Sequence, residues 1–98
     1  MLINLKNTSG YNLIFDPKAE KYLKKLSRKD KKSSNIILNN IKKILIDPYN
    51  SISIKTSVFK ERRVKAGDYR IIFIIVEDKN PPVIEITRIG KRATVYKK

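Results

Sequence analysis

Residues 60–76, KERRVKAGDYRIIFIIV, pass from a basic stretch to an apolar run across Gly67-Asp68. Gly67-Asp68 marks a tight turn between them, and glycine in the first place of a two-residue loop suits a type II′ turn, whose twist matches paired strands. The segment therefore predicts a β-hairpin with Ala66 opposite Tyr69, Lys65 opposite Arg70, Val64 opposite Ile71 and Arg63 opposite Ile72. Successive side chains of a strand point to opposite faces. Val64, Ile71, Phe73 and Ile75 then share one face, and Arg63, Lys65 and Arg70 share the other.

The rest of the chain supplies partners for the apolar face. Residues 11–15 (YNLIF) read as a strand, after a turn at Ser9-Gly10. Asp16-Pro17 opens a helix, since Asp is a favoured N-cap and proline loses nothing at the first helical position. Ala19, Tyr22, Leu23 and Leu26 form its apolar stripe, with Lys18, Lys21, Lys24 and Lys25 on the exposed side. The pattern breaks over residues 27–30. A second helix is predicted over residues 31–46, with Ile37, Ile41, Ile44 and Leu45 at helical spacing, and Asp47-Pro48 ends it. Residues 49–57 read as a loop, in which Ile52 and Ile54 alternate like a short edge strand. Further strands are predicted over residues 58–65, 69–77 and 83–89, the last pointing Ile84 and Ile86 at the core. Gly90 precedes a basic tail, KRATVYKK.

The predicted order is β-α-α-β-β-β in one domain spanning residues 1–98. The expected architecture is a two-layer α+β fold, with two antiparallel helices packed on one face of an antiparallel sheet. The other face is expected to stay open to solvent and to carry Arg63, Lys65 and Arg70.

Charge sharpens this picture. Lys+Arg number 23 against 9 Asp+Glu in 98 residues, a formal net charge of +14. A net charge so far from zero costs stability through self-repulsion and implies an acidic partner: nucleic acid, anionic lipid or an acidic protein. The chain has neither Cys nor His, which removes disulfides, thiol chemistry, the usual zinc ligand and the commonest general base. No cofactor, metal or small-molecule site is expected. No apolar run approaches the roughly 20 residues that span a bilayer. The opening MLINLKNTSG lacks a signal-peptide pattern. The expectation is a cytoplasmic protein with no membrane partner.

Candidate chemistry centres on the open face. Lys65 opposite Arg70 is a like-charge cross-strand pair, which costs stability and which no sheet needs in order to fold. An anion relieves it. Arg offers a planar fork matched to phosphate, and Lys a movable point charge. The same residues also serve to solvate an exposed strand; the opposed pair favours phosphate. The helix lysines read as a solvated face first and a diffuse attraction for RNA second. Tyr96, near Arg92, is either a stacking or proton-transfer group or a residue packed on the sheet. Glu61 shares the face of Arg63 and reads as an ion-pairing residue. No P-loop, GxGxxG or nucleophile elbow is present.

Residues 63–70, RVKAGDYR, followed by Ile71-Ile72-Phe73, resemble the R-x-R-x-G-x-Y-R strand–turn–strand signature of the RelE/ParE toxin superfamily. The tail G-K-R-A-T-V-Y, residues 90–96, resembles its G-x-R-x-x-V-Y ending, and the helical stretch from Phe15 to Leu26 also fits. The resemblance implies a toxin of a toxin–antitoxin pair, with a cognate antitoxin as partner. RelE-like members cut mRNA in the ribosomal A site without a metal: the RNA 2′-hydroxyl attacks the adjacent phosphate and leaves a cyclic phosphate. ParE-like members share the fold and poison DNA gyrase. The tail carrying Arg92 and Tyr96 favours the RelE side. Arg70 and Arg92 are implied to stabilise the transition-state phosphate, and Tyr96 to stack on a base or move a proton. Arg63 and Lys65 match basic positions of the preceding strand, and Lys65 is the other candidate proton carrier, since arginine cannot be the base. Arg63, Lys65, Arg88 and Lys91 are the candidate RNA contacts. Lys91 stands where many relatives carry histidine, and Glu61 where some ribosome-dependent members are basic. A non-catalytic RNA-binding module using the same patch is the remaining alternative.

Overall fold

Two aspartates start the helices of the computed structural model, which describes residues 10–92. Asp16 accepts a hydrogen bond from the Lys18 amide (2.9 Å) and opens α1 (Pro17–Lys29). Asp30 closes α1 through its own N–H to the Leu26 carbonyl (2.7 Å), and it also opens α2 (Lys31–Ile46). Its carboxylate accepts from Ser33 N–H (3.1 Å) and Ser33 Oγ (2.6 Å). The break expected over residues 27–30 thus shrinks to one residue, because one side chain satisfies the next helix's orphan amides.

The strands are β1 (Asn12–Phe15), β2 (Ile52–Ser53), β3 (Arg62–Ala66), β4 (Tyr69–Val76) and β5 (Val83–Lys91), in sheet order β1-β5-β4-β3-β2. The antiparallel expectation holds for β2 to β5. It fails for β1, which pairs parallel to β5, with Leu13 beside Ile84 and Phe15 beside Ile86. The sheet is mixed, since the helix pair carries the chain away from β1 and short turns join only the later strands.

The hairpin register is as predicted, from Ala66 opposite Tyr69 to Arg63 opposite Ile72. Gly67 has φ 63° while Asp68 is not among the positive-φ residues, as a II′ turn requires. Helices and sheet meet over Leu23, Ile37, Ile41, Ile71, Phe73, Ile84 and Ile86, all fully buried. α1 packs on α2 and β5, and α2 on β3 and β4.

Two irregularities shape the other face. Ile72 pairs with Arg88 while Phe73 pairs with Ile86, so Thr87 is an extra residue in β5. This bulge lets Ile84, Ile86 and Ile89 all reach the core despite the odd spacing of the last two. Thr87 Oγ1 lies 3.1 Å from the Ile72 carbonyl and 3.3 Å from Glu61 Oε2.

The second irregularity replaces the start of the strand expected over residues 58–65, which begins only at Arg62. Ser57 Oγ accepts from the amides of Phe59 (3.2 Å) and Glu61 (3.3 Å), and Lys60 has φ 56°. The resulting turn borders a cleft with Ile72, so the open face is not wholly bare: Ile72 is only 2% exposed.

Two stability tests follow from the turn and the shared helix cap. A Cβ on Gly67 meets only ordinary contact, 3.8 Å from Ile36, so Gly67→Ala isolates the backbone cost of a left-handed residue. Chemical denaturation is expected to show a loss of about 1–2 kcal/mol. The Asp30 carboxyl is held below its usual pKa, chiefly by the Ser33 hydroxyl, then by the Ser33 amide, with Lys32 and Lys91 nearby. A depressed folded pKa contributes stability above the unfolded value of about 3.9 and loses it as pH falls through the folded one. The melting-temperature gap between wild type and Asp30→Asn should therefore narrow below pH about 4, and a gap independent of pH refutes this role.

Candidate functional site

The alternation of β3, β4 and β5 places the cations. Arg63, Ile72 and Arg88 form one row across the open face, and Lys65, Arg70 and Gly90 form the next. Gly90 contributes no side chain, which leaves room beside Arg70. Lys65 and Arg88 are exposed and Arg63 and Arg70 half-buried, and none lies beneath the helices. Arg70 Nη1 donates to the Tyr69 carbonyl at 3.0 Å, holding the guanidinium near the turn.

Lys91 pairs with Tyr69, so alternation puts it on the helix side of the rim, where it faces Asp30. The Arg92 amide donates to the Asp68 carbonyl (3.1 Å), which fixes the tail arginine beside the Gly67-Asp68 turn. Lys65, Arg70, Lys91 and Arg92 then line one open groove of about 490 Å³ at the end of the sheet. Tyr69 backs this groove and is itself packed edge-on against Tyr22, with ring centroids 6.5 Å apart. Burial, then Tyr69, raises the pKa of the Tyr22 hydroxyl.

Four cations face two carboxylates, Asp30 and Asp68, in the lining. Asp30 is occupied by Ser33. The groove thus has the charge and the donors to hold a phosphodiester, with two guanidiniums able to meet charge that develops on its oxygens.

The structure brings Lys65, Arg70, Lys91 and Arg92 together, with Arg63 and Arg88 one row away. Tyr96 lies outside the described residues. Glu61, read as an ion-pairing residue, is bonded by two hydroxyls, Ser57 Oγ (3.0 Å) and Thr87 Oγ1 (3.3 Å).

Sequence reasoning missed Arg62 and the Asp30–Ser33 wall. Arg62 sits opposite Phe73, donates to Ser51 Oγ (2.6 Å), the Tyr49 carbonyl (3.2 Å) and the Ser51 carbonyl (3.0 Å), and lies 5.4 Å from the Tyr49 ring centre. The Tyr49 hydroxyl in turn donates to Glu77. Arg62 is therefore a structural staple that brings β2 alongside β3. Its neighbour Arg63 points the other way; only strand parity separates the two. For Asp30 the signal was the N-cap position itself.

Comparison with known proteins supports the resemblance read from the sequence. Residues 13–96 match the family model described as the ParE toxin of the type II toxin–antitoxin system, parDE. The fold is similar to a chain in the crystal structure of the archaeal RelE–RelB complex from Pyrococcus horikoshii OT3. The TM-score is 0.68 at 20% identity, covering 88% of this chain and 99% of that one. No curated protein sequence matches the chain significantly. With the helix pair, mixed sheet and basic hairpin in place, the match over residues 13–96 means that the chain belongs to the ParE toxin family of type II toxin–antitoxin systems, within the RelE/ParE superfamily.

Proposed function

We propose that this toxin is a metal-independent endoribonuclease that cleaves mRNA on the ribosome. The observation that carries the reading is the convergence of Lys65, Arg70, Lys91 and Arg92 on one groove. A ribose 2′-oxygen attacks the adjacent phosphorus as the bond to the 5′-oxygen breaks. The 2′-hydroxyl proton passes to the neutral amine of Lys65 or to the Tyr96 phenolate, and the leaving 5′-oxygen takes up a proton from the conjugate acid or from water. The products are a 2′,3′-cyclic phosphate and a 5′-hydroxyl. Arg70 and Arg92 stabilise the extra negative charge on the phosphorus oxygens, while Arg63 and Arg88 hold the flanking backbone. An antitoxin with an acidic segment laid over the basic face is the partner that the charge calls for, and it competes with RNA for the same cations. The similarity to a chain of a RelE–RelB complex agrees with a protein partner.

The family model favours a second reading, a ParE-like gyrase inhibitor that cuts nothing. Induced expression separates the two. Arg70→Ala and Arg92→Ala are each expected to abolish growth arrest and mRNA cleavage, since one lost donor of this kind costs about 10²–10³ in rate. Arrest that persists in both variants while translation continues overturns the nuclease reading. Arrest with an SOS response and intact mRNA identifies gyrase as the target.

A further inference from the structure

Phe59 is 75% exposed and Val58 86% exposed, side by side at the tip of the turn before β3. Single exposed apolar residues are ordinary; an adjacent pair on a rigid turn is not. This turn is held firmly. Ser57 Oγ accepts from the Phe59 and Glu61 amides and donates to Glu61 Oε1 (3.0 Å), while the Ile54 amide donates to the Glu61 carbonyl (2.9 Å). Lys60 is kept at φ 56°, a conformation that a residue with a side chain adopts only where its surroundings impose it. The chain thus spends backbone strain on presenting Phe59 to solvent.

The turn forms one wall of a cleft of about 390 Å³, with Ile54, Val58 and Phe59 on one side and Ile72 and Arg88 on the other. That size falls in the range of small-ligand sites, about 300–1,000 Å³. Ile72 is two residues along β4 from Arg70, about 7 Å, so the cleft adjoins the phosphate groove.

We infer that Phe59 is a stacking platform for one base of the RNA strand whose backbone lies along Arg70, Arg63 and Arg88, and that Arg88 flanks this base. The inference rests on the RNA reading above and adds a base-binding subsite to it. Every base has a π-face, and arginine planes also stack on bases. The exposed Lys55 and Lys60 and the nearby Arg63 and Arg88 favour a nucleotide over an apolar protein segment, because a nucleotide brings the phosphate that these cations attract.

The test uses an uncleavable 2′-O-methyl RNA carrying 2-aminopurine at successive positions. Wild type is expected to quench the fluorophore at one position. Phe59→Ala should lose that quench and roughly 5- to 150-fold in affinity, and Phe59→Tyr should restore both. The salt slope of binding should not change in Phe59→Ala, because no phosphate contact is lost, whereas Arg88→Ala should lower it by about 1. An unchanged unfolding midpoint for Phe59→Ala shows that the variant is folded. If wild type binds RNA and Phe59→Ala matches it, or loses affinity together with salt slope, the stacking role is overturned while RNA binding stands. If wild type binds this RNA neither free nor on ribosomes programmed with it, both readings fall.

Discussion

Burial of β4 decides where the charges go. Ile71 and Phe73 are fully buried against the helices, and side chains alternate, so Arg70 must face away from them. The Gly67-Asp68 turn then sets Lys65 opposite Arg70. A slip of one residue swaps the faces, sending Ile71 into solvent and Arg70 into the core. The cation cluster is thus held by the hydrophobic core, which offsets the repulsion between Lys65 and Arg70.

The same logic explains what could be read from the chain. Turn chemistry and alternation sufficed for the hairpin, its register and the faces of Arg63, Lys65 and Arg70. Caps and helical spacing sufficed for α1 and α2. The direction of β1 was not legible, because Leu13 and Phe15 mark a strand but not which neighbour it takes or in which sense. The Thr87 bulge was equally hidden: it depends on matching β5 to β4, and only it explains why Ile89 joins Ile84 and Ile86 in the core. Val58 and Phe59 look like strand residues by composition, but Ser57 Oγ draws the backbone into a turn by accepting hydrogen bonds from two amides. For the site, the individual cations and the Lys65–Arg70 pair were legible, and the position of Lys91 and Arg92 beside that pair was not. Lys91 and Arg92 join Lys65 and Arg70 only because β5 ends against the turn, with the Arg92 amide on Asp68.

The open face divides into two chemically distinct parts. At the sheet end, cations dominate a groove with aromatic backing, suited to a phosphodiester. Alongside it, the Ser57-built turn sets apolar surface against Arg88, suited to a base. The opposite layer is a lysine-studded helix pair that shields the core and leaves this division undisturbed. The net charge of +14 adds a general attraction for polyanions, while the grouping of particular residues gives that attraction a place to act.

End-group analysis of RNA exposed to the purified toxin and ribosomes tests the central claim most directly. The arrangement of Lys65, Arg70, Lys91 and Arg92 around one groove predicts fragments with 2′,3′-cyclic phosphate and 5′-hydroxyl ends. Intact RNA, or fragments bearing 3′-hydroxyl and 5′-phosphate ends, contradicts it.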